Sequence, residues 1–225
     1  MCGFVGCIDI NISYGKLKKA TKTIIHRGPD ATTITKGKNW IVGFNRLAII
    51  DLNKRSMQPF KYKNILVFLN GEIFNYLELI KKEKNFFPKT KSDVEIIPYL
   101  YEKYGMDFLK MLNGMFSIIL IDEKRDKLFL IRDRYGEKPL FYLKNKKGLY
   151  FASEIRAIKE LTDIEIEKKN IEINFRCGFL PQPLTLYKDL NALEAGHYIE
   201  VFKNKITKFK WYNLKLDNDL SDNFN

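Results

Sequence analysis

The sequence has few cysteines and histidines and no long hydrophobic run. Cys2, Cys7 and Cys177 form an odd set without a CxxC pair, which predicts reduced thiols and a cytoplasmic location. His26 and His197 are the two histidines, and they supply a multi-histidine metal site poorly, so no metal site is predicted. No apolar run reaches the roughly 18–20 residues that cross a bilayer, and the start of the chain lacks the basic leader of a signal peptide. We therefore expect no membrane association.

Arginine is also scarce, although the protein is basic. The chain has 39 Lys and Arg against 27 Asp and Glu, a net charge of +12, and only 8 of the basic residues are Arg. Such a charge can indicate a nucleic-acid partner. The lysines, however, are scattered among acidic residues, and no nucleic-acid-binding motif accompanies them. A solvated lysine-rich surface without nucleic acid is the favoured interpretation, and a specific polyanion site is the alternative.

The hydrophobic pattern of the 225 residues suits one large domain with its own core. Runs rich in β-branched and aromatic residues predict strands, and 3.6-residue periodicity predicts helices. The predicted strands are 4–10, 32–36, 40–44, 65–69, 115–121, 127–132, 140–143, 149–152, 197–202 and 205–211, and the predicted helices are 17–26, 74–84, 93–104, 107–112, 154–161 and about 168–176. Short turns between consecutive strands favour antiparallel pairing, and helices grouped between blocks of strands favour an α+β fold.

A cysteine directly after the initiator methionine has a chemical implication. Removal of Met1 would leave a thiol and a free α-amine on Cys2. Because an α-amine has a reference pKa of about 7.7–8.0, it can act as a base near neutral pH without a histidine. The position alone is a weak signal, since many proteins have a small residue there. His26, beside a Gly-Pro turn, is interpreted as a structural hydrogen-bonding residue.

Half of the arginines lie in polar clusters that interrupt the predicted elements. They are Arg27, Arg46, Arg132 and Arg134. An arginine can bind a carboxylate through two parallel hydrogen bonds. Their placement therefore favours recognition of a carboxylate.

Two further clusters follow or precede a predicted element. Asn70-Gly71-Glu72 is predicted to emerge at the end of strand 65–69, with its backbone amides exposed there. Lys91-Ser92-Asp93 precedes a predicted helix. For this second cluster, a helix N-cap formed by Ser92 or Asp93 is the structural alternative to a functional role.

Nine short segments follow one another from Met1 to about Tyr212: MCGFVG, HRGPD, NRLAIID, NGEIFN, SDVEII, GMFSIILID, RDRYGEKPLFY, ASEIRAI and GHYIEV. Taken in order, they resemble the glutaminase domain of the glutamine-hydrolysing asparagine synthetase family. Glucosamine-6-phosphate synthase and the purine-pathway amidotransferase share the fold and the cysteine, but they lack HRGPD, NGEIFN and RDRYGEKPLFY in this form. The departures from the family pattern are Phe74, Phe141 and Val94, and none affects a predicted catalytic group.

The resemblance implies an Ntn-hydrolase fold, a four-layer αββα sandwich of two antiparallel β-sheets. It implies that Cys2 attacks the side-chain amide of glutamine, forms a γ-glutamyl thioester and releases ammonia. The side chain of Asn70 and the backbone N–H of Gly71 would form the oxyanion hole.

The same resemblance implies how glutamine is bound. Arg46 would bind the α-carboxylate, and Asp93 and Glu72 would bind the α-ammonium. Backbone groups of Ile49 and Ile50 would line the pocket. The HRGPD and RDRYGEKPLFY segments are interpreted as structural parts of the pocket wall and of the route toward a partner domain.

Members of this family continue into a domain that binds ATP through an SGGxDS loop and adenylates aspartate. The 225 residues contain no Gly-Gly dipeptide, so ATP and magnesium are expected only in such a synthetase domain, in cis or in trans, and no cofactor is expected here. The predicted organisation is a glutaminase domain at 1–212 and a linker at 213–225. A homodimer, an amidotransferase for a sugar or peptide acceptor, and a non-catalytic glutamine-binding module stay open.

Overall fold

Strands and helices alternate in blocks along the chain of this computed structural model, which describes residues 2–8, 12–203 and 205–214. The strands are β1 (Gly3–Ile8), β2 (Ala31–Lys36), β3 (Ile41–Arg46), β4 (Phe60–Tyr62), β5 (Ile65–Ile73), β6 (Gly114–Asp122), β7 (Lys127–Arg132), β8 (Phe141–Lys144), β9 (Leu149–Ala152), β10 (Leu190–Ala192), β11 (His197–Phe202) and β12 (Lys205–Lys210). The α-helices are α1 (Tyr14–Thr23), α2 (Tyr76–Lys82), α3 (Ile97–Tyr104), α4 (Phe108–Met111), α5 (Ile155–Leu161) and α6 (Lys168–Cys177).

The strands form two six-stranded antiparallel sheets. Sheet A has the order β10-β8-β9-β1-β3-β2, and sheet B has the order β12-β11-β7-β6-β5-β4. In sheet A, β1 lies between β9 and β3, and its register with β3 begins at the pair Gly3–Asn45. The central strand β1 therefore carries the residue just before it, Cys2, to one end of the sandwich.

Alternating side chains of the strands build three hydrophobic layers, because successive residues of a strand point to opposite faces. Phe4, Phe44 and Phe68 lie between the two sheets, and the rings of Phe44 and Phe68 have centroids 6.0 Å apart. The intervening residue Val5 packs outward under helices α1 and α5. On sheet B, Leu69 faces the opposite way from Phe68 and packs under helices α3 and α4. The resulting order of layers is helix, sheet, sheet, helix.

This architecture confirms the predicted four-layer αββα sandwich. The strands 127–132, 149–152 and 197–202 were predicted with their observed bounds, and most other boundaries differ by one to three residues. The strands β4 and β10 were missed, because three residues are too few for a recognisable alternation. Of the predicted strand 4–10, residues 9 and 10 lie outside the described residues, as do residues 215–225 of the predicted linker.

Two predictions near the polar clusters were wrong. The strand β5 does not end at Leu69 but continues to Ile73, because Asn70, Gly71 and Glu72 pair with Ser117, Phe116 and Met115 of β6. Asn70-Gly71-Glu72 is therefore part of a sheet. The helix predicted from Asp93 begins only at Ile97, with a proline in its first turn. Among the described residues, no helix is long and apolar enough to cross a membrane.

Candidate active site

A cavity opens at the end of the sandwich where β1 begins and β3 ends. Residues from both sheets line it, since β5 and β6 of sheet B reach the same end as β1 and β3 of sheet A. Most of the remaining lining comes from two loops, the 47–58 loop and the 88–96 loop. The lining residues are Cys2, Arg46, Leu47, Ile49, Ile50, Asp51, Ser56, Gln58, Gly71, Glu72, Ser92, Asp93, Val94, Met115 and Lys138.

The thiol of Cys2 is held against the 47–58 loop. The backbone N–H of Leu47 donates to Cys2 Sγ at 3.4 Å, and Sγ lies 3.7 Å from the carbonyl oxygen of Leu47. Burial raises the pKa of the Cys2 thiol, and the Leu47 hydrogen bond and the charge of Arg46 only partly offset this. Because the thiolate is the nucleophilic form, a raised pKa means that a neighbouring base has to remove the proton.

Arg46 is nearly buried at the end of β3. Its Nη1 donates to the backbone oxygen of Asn53 at 3.0 Å, and its Nη2 donates to the backbone oxygen of Asp51. These contacts curl the 47–58 loop around the guanidinium. They use two of the five N–H donors that an arginine has, so the same group can bind a carboxylate in the cavity.

Asp51 joins the two loops of the cavity. Its Oδ2 accepts a hydrogen bond from Lys91 N and its Oδ1 accepts one from Asn53 N, each at 2.9 Å. These two backbone hydrogen bonds are the main reason that the pKa of Asp51 is lowered to about 2. Asp51 is therefore ionised at neutral pH, and its contacts are structural.

Asp93 has the opposite electrostatic environment. Burial and, less strongly, the nearby charge of Glu72 raise the pKa of its carboxyl to about 6, against the opposing hydrogen bond from Ile73 N. That hydrogen bond, from Ile73 N to Asp93 Oδ2, is 2.8 Å long. Asp93 therefore does not cap helix α3, which begins without a side-chain cap. A cation in the cavity would relieve the repulsion between Asp93 and Glu72.

Gly71 brings backbone directly to the cavity wall. Its φ is +148°, and a Cβ at this position would lie 2.0 Å from the backbone oxygen of Met115. Only glycine fits both the backbone conformation and the close approach of β6. A backbone N–H can therefore face the cavity without a side chain in the way.

Asn70 is the predicted site residue that the structure keeps away from the cavity. Its side chain is fully buried and does not belong to the lining. The amide nitrogen Nδ2 contacts Ser117 Oγ at 3.4 Å, and Oδ1 is a buried acceptor without a hydrogen-bond partner among the described residues. The structure thus brings the other predicted residues together (Cys2, Arg46, Ile49, Ile50, Gly71, Glu72 and Asp93) and leaves Asn70 behind the wall.

Sequence comparison agrees with this geometry. The family model described as a glutamine amidotransferase domain matches residues 1–212. The chain belongs to this glutamine amidotransferase family. The assignment to glutamine-hydrolysing amidotransferases, made from the sequence segments, is therefore confirmed.

Two curated relatives resemble this amidotransferase in sequence, and one solved structure resembles it in fold. A putative glutamine-hydrolysing asparagine synthetase 2 of Methanocaldococcus jannaschii is 35% identical, over 95% of this chain and 47% of that protein. The glutamine-hydrolysing asparagine synthetase 2 of Bacillus subtilis is also 35% identical, over 89% of this chain and 29% of that protein. The chain thus spans about half or less of these relatives. The glutamine phosphoribosylpyrophosphate amidotransferase of B. subtilis has the same fold, with a TM-score of 0.70 at 16% identity over 94% of this chain and 49% of that one.

The amidotransferase cavity also contains residues that the sequence analysis missed. Gln58 is buried in the lining, where its side-chain amide accepts from Leu69 N at 2.6 Å and donates to Leu69 O at 3.2 Å. It thereby fixes β5 just before Gly71. Lys138 is a buried lysine of the lining. The RDRYGEKPLFY segment was its only signal, and that segment was interpreted as structural.

Charged residues of the HRGPD and RDRYGEKPLFY segments support the cavity from outside. Asp30 Oδ2 accepts from Ala48 N at 2.7 Å and so holds the loop that carries Ile49 and Ile50. Asp133 Oδ2 accepts from Lys138 N at 3.0 Å and from Phe116 N at 3.2 Å. In residues 2–8, 12–203 and 205–214, no group of three His, Cys, Asp or Glu side chains could hold a metal ion.

Proposed function

We propose that the domain hydrolyses glutamine to glutamate and ammonia through Cys2, and that the ammonia serves an ATP-dependent amidation, the synthesis of asparagine from aspartate. The observation that carries the proposal is that the thiol shares one cavity with a cationic side chain and with two acidic side chains. Cys2, cationic Arg46 and the acidic pair Glu72 and Asp93 line one cavity. Free glutamine carries a carboxylate, an ammonium and a reactive amide, and the cavity offers a group for each.

Binding would use both charged ends of the substrate. The free N–H groups of Arg46 bind the α-carboxylate, while its contacts to Asp51 O and Asn53 O keep the guanidinium in place. The α-ammonium lies against Asp93 and Glu72. A cation beside Asp93 lowers the pKa of that carboxyl from its raised value. Substrate binding and ionisation of Asp93 therefore stabilise each other.

The chemical steps begin at the thiol. After removal of Met1, the α-amine of Cys2 takes the proton of Sγ, and Sγ attacks the δ-carbon of glutamine to form a tetrahedral intermediate. The amine then gives that proton to the leaving nitrogen. Ammonia departs and a γ-glutamyl thioester remains on Cys2. Water, deprotonated by the same amine, attacks the thioester and releases glutamate with the thiol restored.

The negative oxygen of the intermediate would be stabilised by Gly71 N–H and by Asn70 Nδ2. One such donor typically lowers the barrier by about 3 kcal/mol. The amide nitrogen of Asn70 has two N–H groups, so one can point to the intermediate while the other keeps its contact with Ser117 Oγ. Because the side chain is fully buried outside the cavity lining, this role requires the amide to gain access to the cavity when the substrate binds.

The acceptor belongs to a second catalytic unit. The relatives at 35% identity are named glutamine-hydrolysing asparagine synthetases, which supports aspartate as the acceptor and a synthetase domain in cis or in trans as the partner. ATP and magnesium would be used by that domain. A sugar or peptide acceptor is the competing possibility for the same glutaminase chemistry.

The nucleophile can be tested with two matched cysteine variants. Cys2→Ala is expected to abolish glutamine hydrolysis and to leave the melting temperature near that of wild type. Cys7 lies in the buried cluster under α1 and α5, so Cys7→Ala is expected to lower stability and to retain activity. Ammonia release is the measurement, and intact mass is expected to show Cys2 as the first residue. Full activity in Cys2→Ala, or in protein that retains Met1, contradicts the mechanism.

The acceptor can be tested by product analysis. Incubation of the 225 residues with glutamine, aspartate and ATP-Mg is expected to yield glutamate and ammonia without asparagine or pyrophosphate. Addition of the synthetase domain of a relative, or fusion to it, is expected to yield asparagine. Asparagine made by the 225 residues alone would contradict the proposed division of labour. Amidation of a sugar or peptide instead of aspartate would redirect it to another acceptor.

A further inference from the structure

Cys2 lies just outside the hydrogen-bonded part of its strand. The first pair of the β1–β3 ladder is Gly3–Asn45, so strand pairing does not include Cys2. Chain ends beyond the last pair fray unless another group holds them. A nucleophile at such an end therefore needs a separate attachment to keep its position.

Arg27 provides that attachment. Its Nε donates to the backbone oxygen of Cys2 at 3.0 Å, and its side chain is only 10% exposed. The stem of Arg27 also passes close to Gly3, where a Cβ would lie 3.0 Å from it. Since a long arginine side chain has many rotamers, this contact is precise only if the guanidinium itself is fixed.

Glu154 fixes the guanidinium of Arg27. Its Oε1 accepts from Arg27 Nη1 at 3.2 Å and from His26 Nε2 at 2.8 Å, and its Oε2 lies 2.9 Å from Nε of Arg156. Burial raises the pKa of the Glu154 carboxyl, but the hydrogen bonds from His26 and Arg27 outweigh this and lower it. An ionised carboxylate only accepts hydrogen bonds, so His26 Nε2 carries a proton here.

The backbone next to Glu154 is itself attached to β1. Ser153 Oγ accepts from Phe4 N at 3.1 Å, and Ser153 N donates to Phe4 O at 2.9 Å. Glu154 follows at the junction of β9 and α5. The carboxylate is therefore built on a rigid part of sheet A, next to the strand that carries the nucleophile.

We propose that Glu154 is a positioning residue for the nucleophile, which acts through Arg27 on the backbone carbonyl of Cys2. The proposal rests on the proposed function of Cys2, and it adds a residue that does not touch the substrate. Loss of Glu154 frees the Arg27 guanidinium and lets Cys2 move relative to the cavity. Small displacements of a reacting group can cost up to about 100-fold in rate.

The kinetic test compares Glu154 with a glutamate of the same helix region. Glu154→Ala is expected to lower kcat about 10- to 100-fold with KM for glutamine within about twofold, since Arg46 and Asp93 are untouched. Glu154→Gln keeps an acceptor without the charge and is expected to recover part of the loss. The control is Glu160→Gln, because Glu160 pairs with Lys19 at 2.8 Å on the same face of sheet A and has no contact to Arg27. Wild-type kcat in Glu154→Ala would overturn the proposal.

A spectroscopic test does not depend on turnover. In protein labelled with ¹³C at cysteine Cβ, the Cys2 signal of Glu154→Ala is expected to move toward the value of an unstructured cysteine. The signal of Cys7, buried in the same sheet, is the internal reference and is expected to stay. An unchanged Cys2 signal contradicts the role of Glu154. If the signal moves while wild-type protein shows no glutaminase activity, the positioning role stands and the proposed function fails.

Discussion

The two loops that close the cavity each contribute one aspartate, and the two carboxyls are held in opposite ways. Asp51 of the 47–58 loop accepts two backbone hydrogen bonds, which lower its pKa to about 2. Asp93 of the 88–96 loop is buried beside Glu72, and burial raises its pKa to about 6. Hydrogen bonds already satisfy the first carboxylate, whereas the second gains most from a ligand. Two aspartates of one cavity can thus differ in role, since Asp51 stabilises the cavity wall and Asp93 is available to bind a ligand.

The largest expected effect falls on Arg46, which ends β3 and donates to the loop that contains Asp51. Arg46→Ala leaves the substrate carboxylate unpaired in a partly desolvated cavity, which costs about 2–4 kcal/mol or roughly 30–1000-fold in KM. Arg46→Lys is expected to restore little, because an ammonium cannot make a two-pronged contact. Steady-state kinetics with glutamine are the measurement. A KM near wild type in Arg46→Ala would remove this residue from the pocket.

Asp93→Asn is expected to raise KM for glutamine about 10- to 100-fold, because Glu72 remains as a second carboxylate for the α-ammonium. In wild-type protein, KM is expected to fall as pH rises through about 6, the pKa of Asp93. The variant is expected to lose that pH dependence. Asp51→Asn is the control, since Asp51 is already ionised at these pH values. A wild-type KM profile in Asp93→Asn would contradict the assigned role.

Stability without substrate sharpens the contrast further. A raised carboxyl pKa makes the folded state bind the proton more tightly than the unfolded state. The contribution of Asp93 to the free energy of unfolding is therefore lost as pH rises from about 4 to 6. Relative to wild type, Asp93→Asn is expected to gain up to about 3 kcal/mol of unfolding free energy across that range. A lowered pKa changes the stability with pH in the opposite direction. Asp51 stabilises the fold above its unfolded pKa, and this is lost only as pH falls through about 2.

Denaturant unfolding of wild type and both variants at several pH values measures how the unfolding free energy changes with pH. At neutral pH, Asp51→Asn is expected to unfold at a lower denaturant concentration than wild type, and Asp93→Asn at a higher one. If the unfolding free energies of the two variants changed with pH in the same way relative to wild type, the two carboxyls would not differ as described.

The smallest expected effect is that of metal removal. The proposed mechanism uses a thiol, an amine and the N–H donors of Gly71 and Asn70, so dialysis against EDTA is expected to leave glutamine hydrolysis unchanged. The same treatment is expected to abolish asparagine formation once a synthetase domain and ATP are supplied. Loss of hydrolysis after dialysis, with recovery on adding a divalent cation, would contradict the assigned chemistry.

Apolar runs and helical spacing predicted the individual elements well, whereas the four-layer arrangement was implied by the family resemblance. The strand 127–132 is apolar over most of its length because both faces of β7 are buried, and the buried residues of α1 have helical spacing. The site was predicted from short segments. These segments indicated which residues belong to the site, but not in which secondary structure the residues lie. Asn70 and Glu72 are polar and were placed at a strand end, yet they pair within β5. The polar Glu72 faces the cavity, and the polar side chain of Asn70 is buried against Ser117, so neither marks a loop.

Contacts between distant segments could not be predicted in the same way. Glu154 reaches Arg27 across 127 positions of sequence, and Gln58 holds Leu69 through its side chain. No local periodicity encodes such pairs. The pKa difference between Asp51 and Asp93 likewise depends on the tertiary structure, because burial raises the pKa of Asp93 and backbone N–H groups lower that of Asp51.

The glycine at position 71 gives a criterion for judging other sequences. Its Cβ would lie 2.0 Å from Met115 O at a φ of +148°, so a side chain there would force β5 and β6 apart beside the cavity. The pairing of β5 with β6 therefore also determines the position of the backbone N–H donor of Gly71. In a homologue with another residue at this position, the local pairing and the position of the backbone donor would therefore change together. Such a homologue is better tested for binding than for turnover.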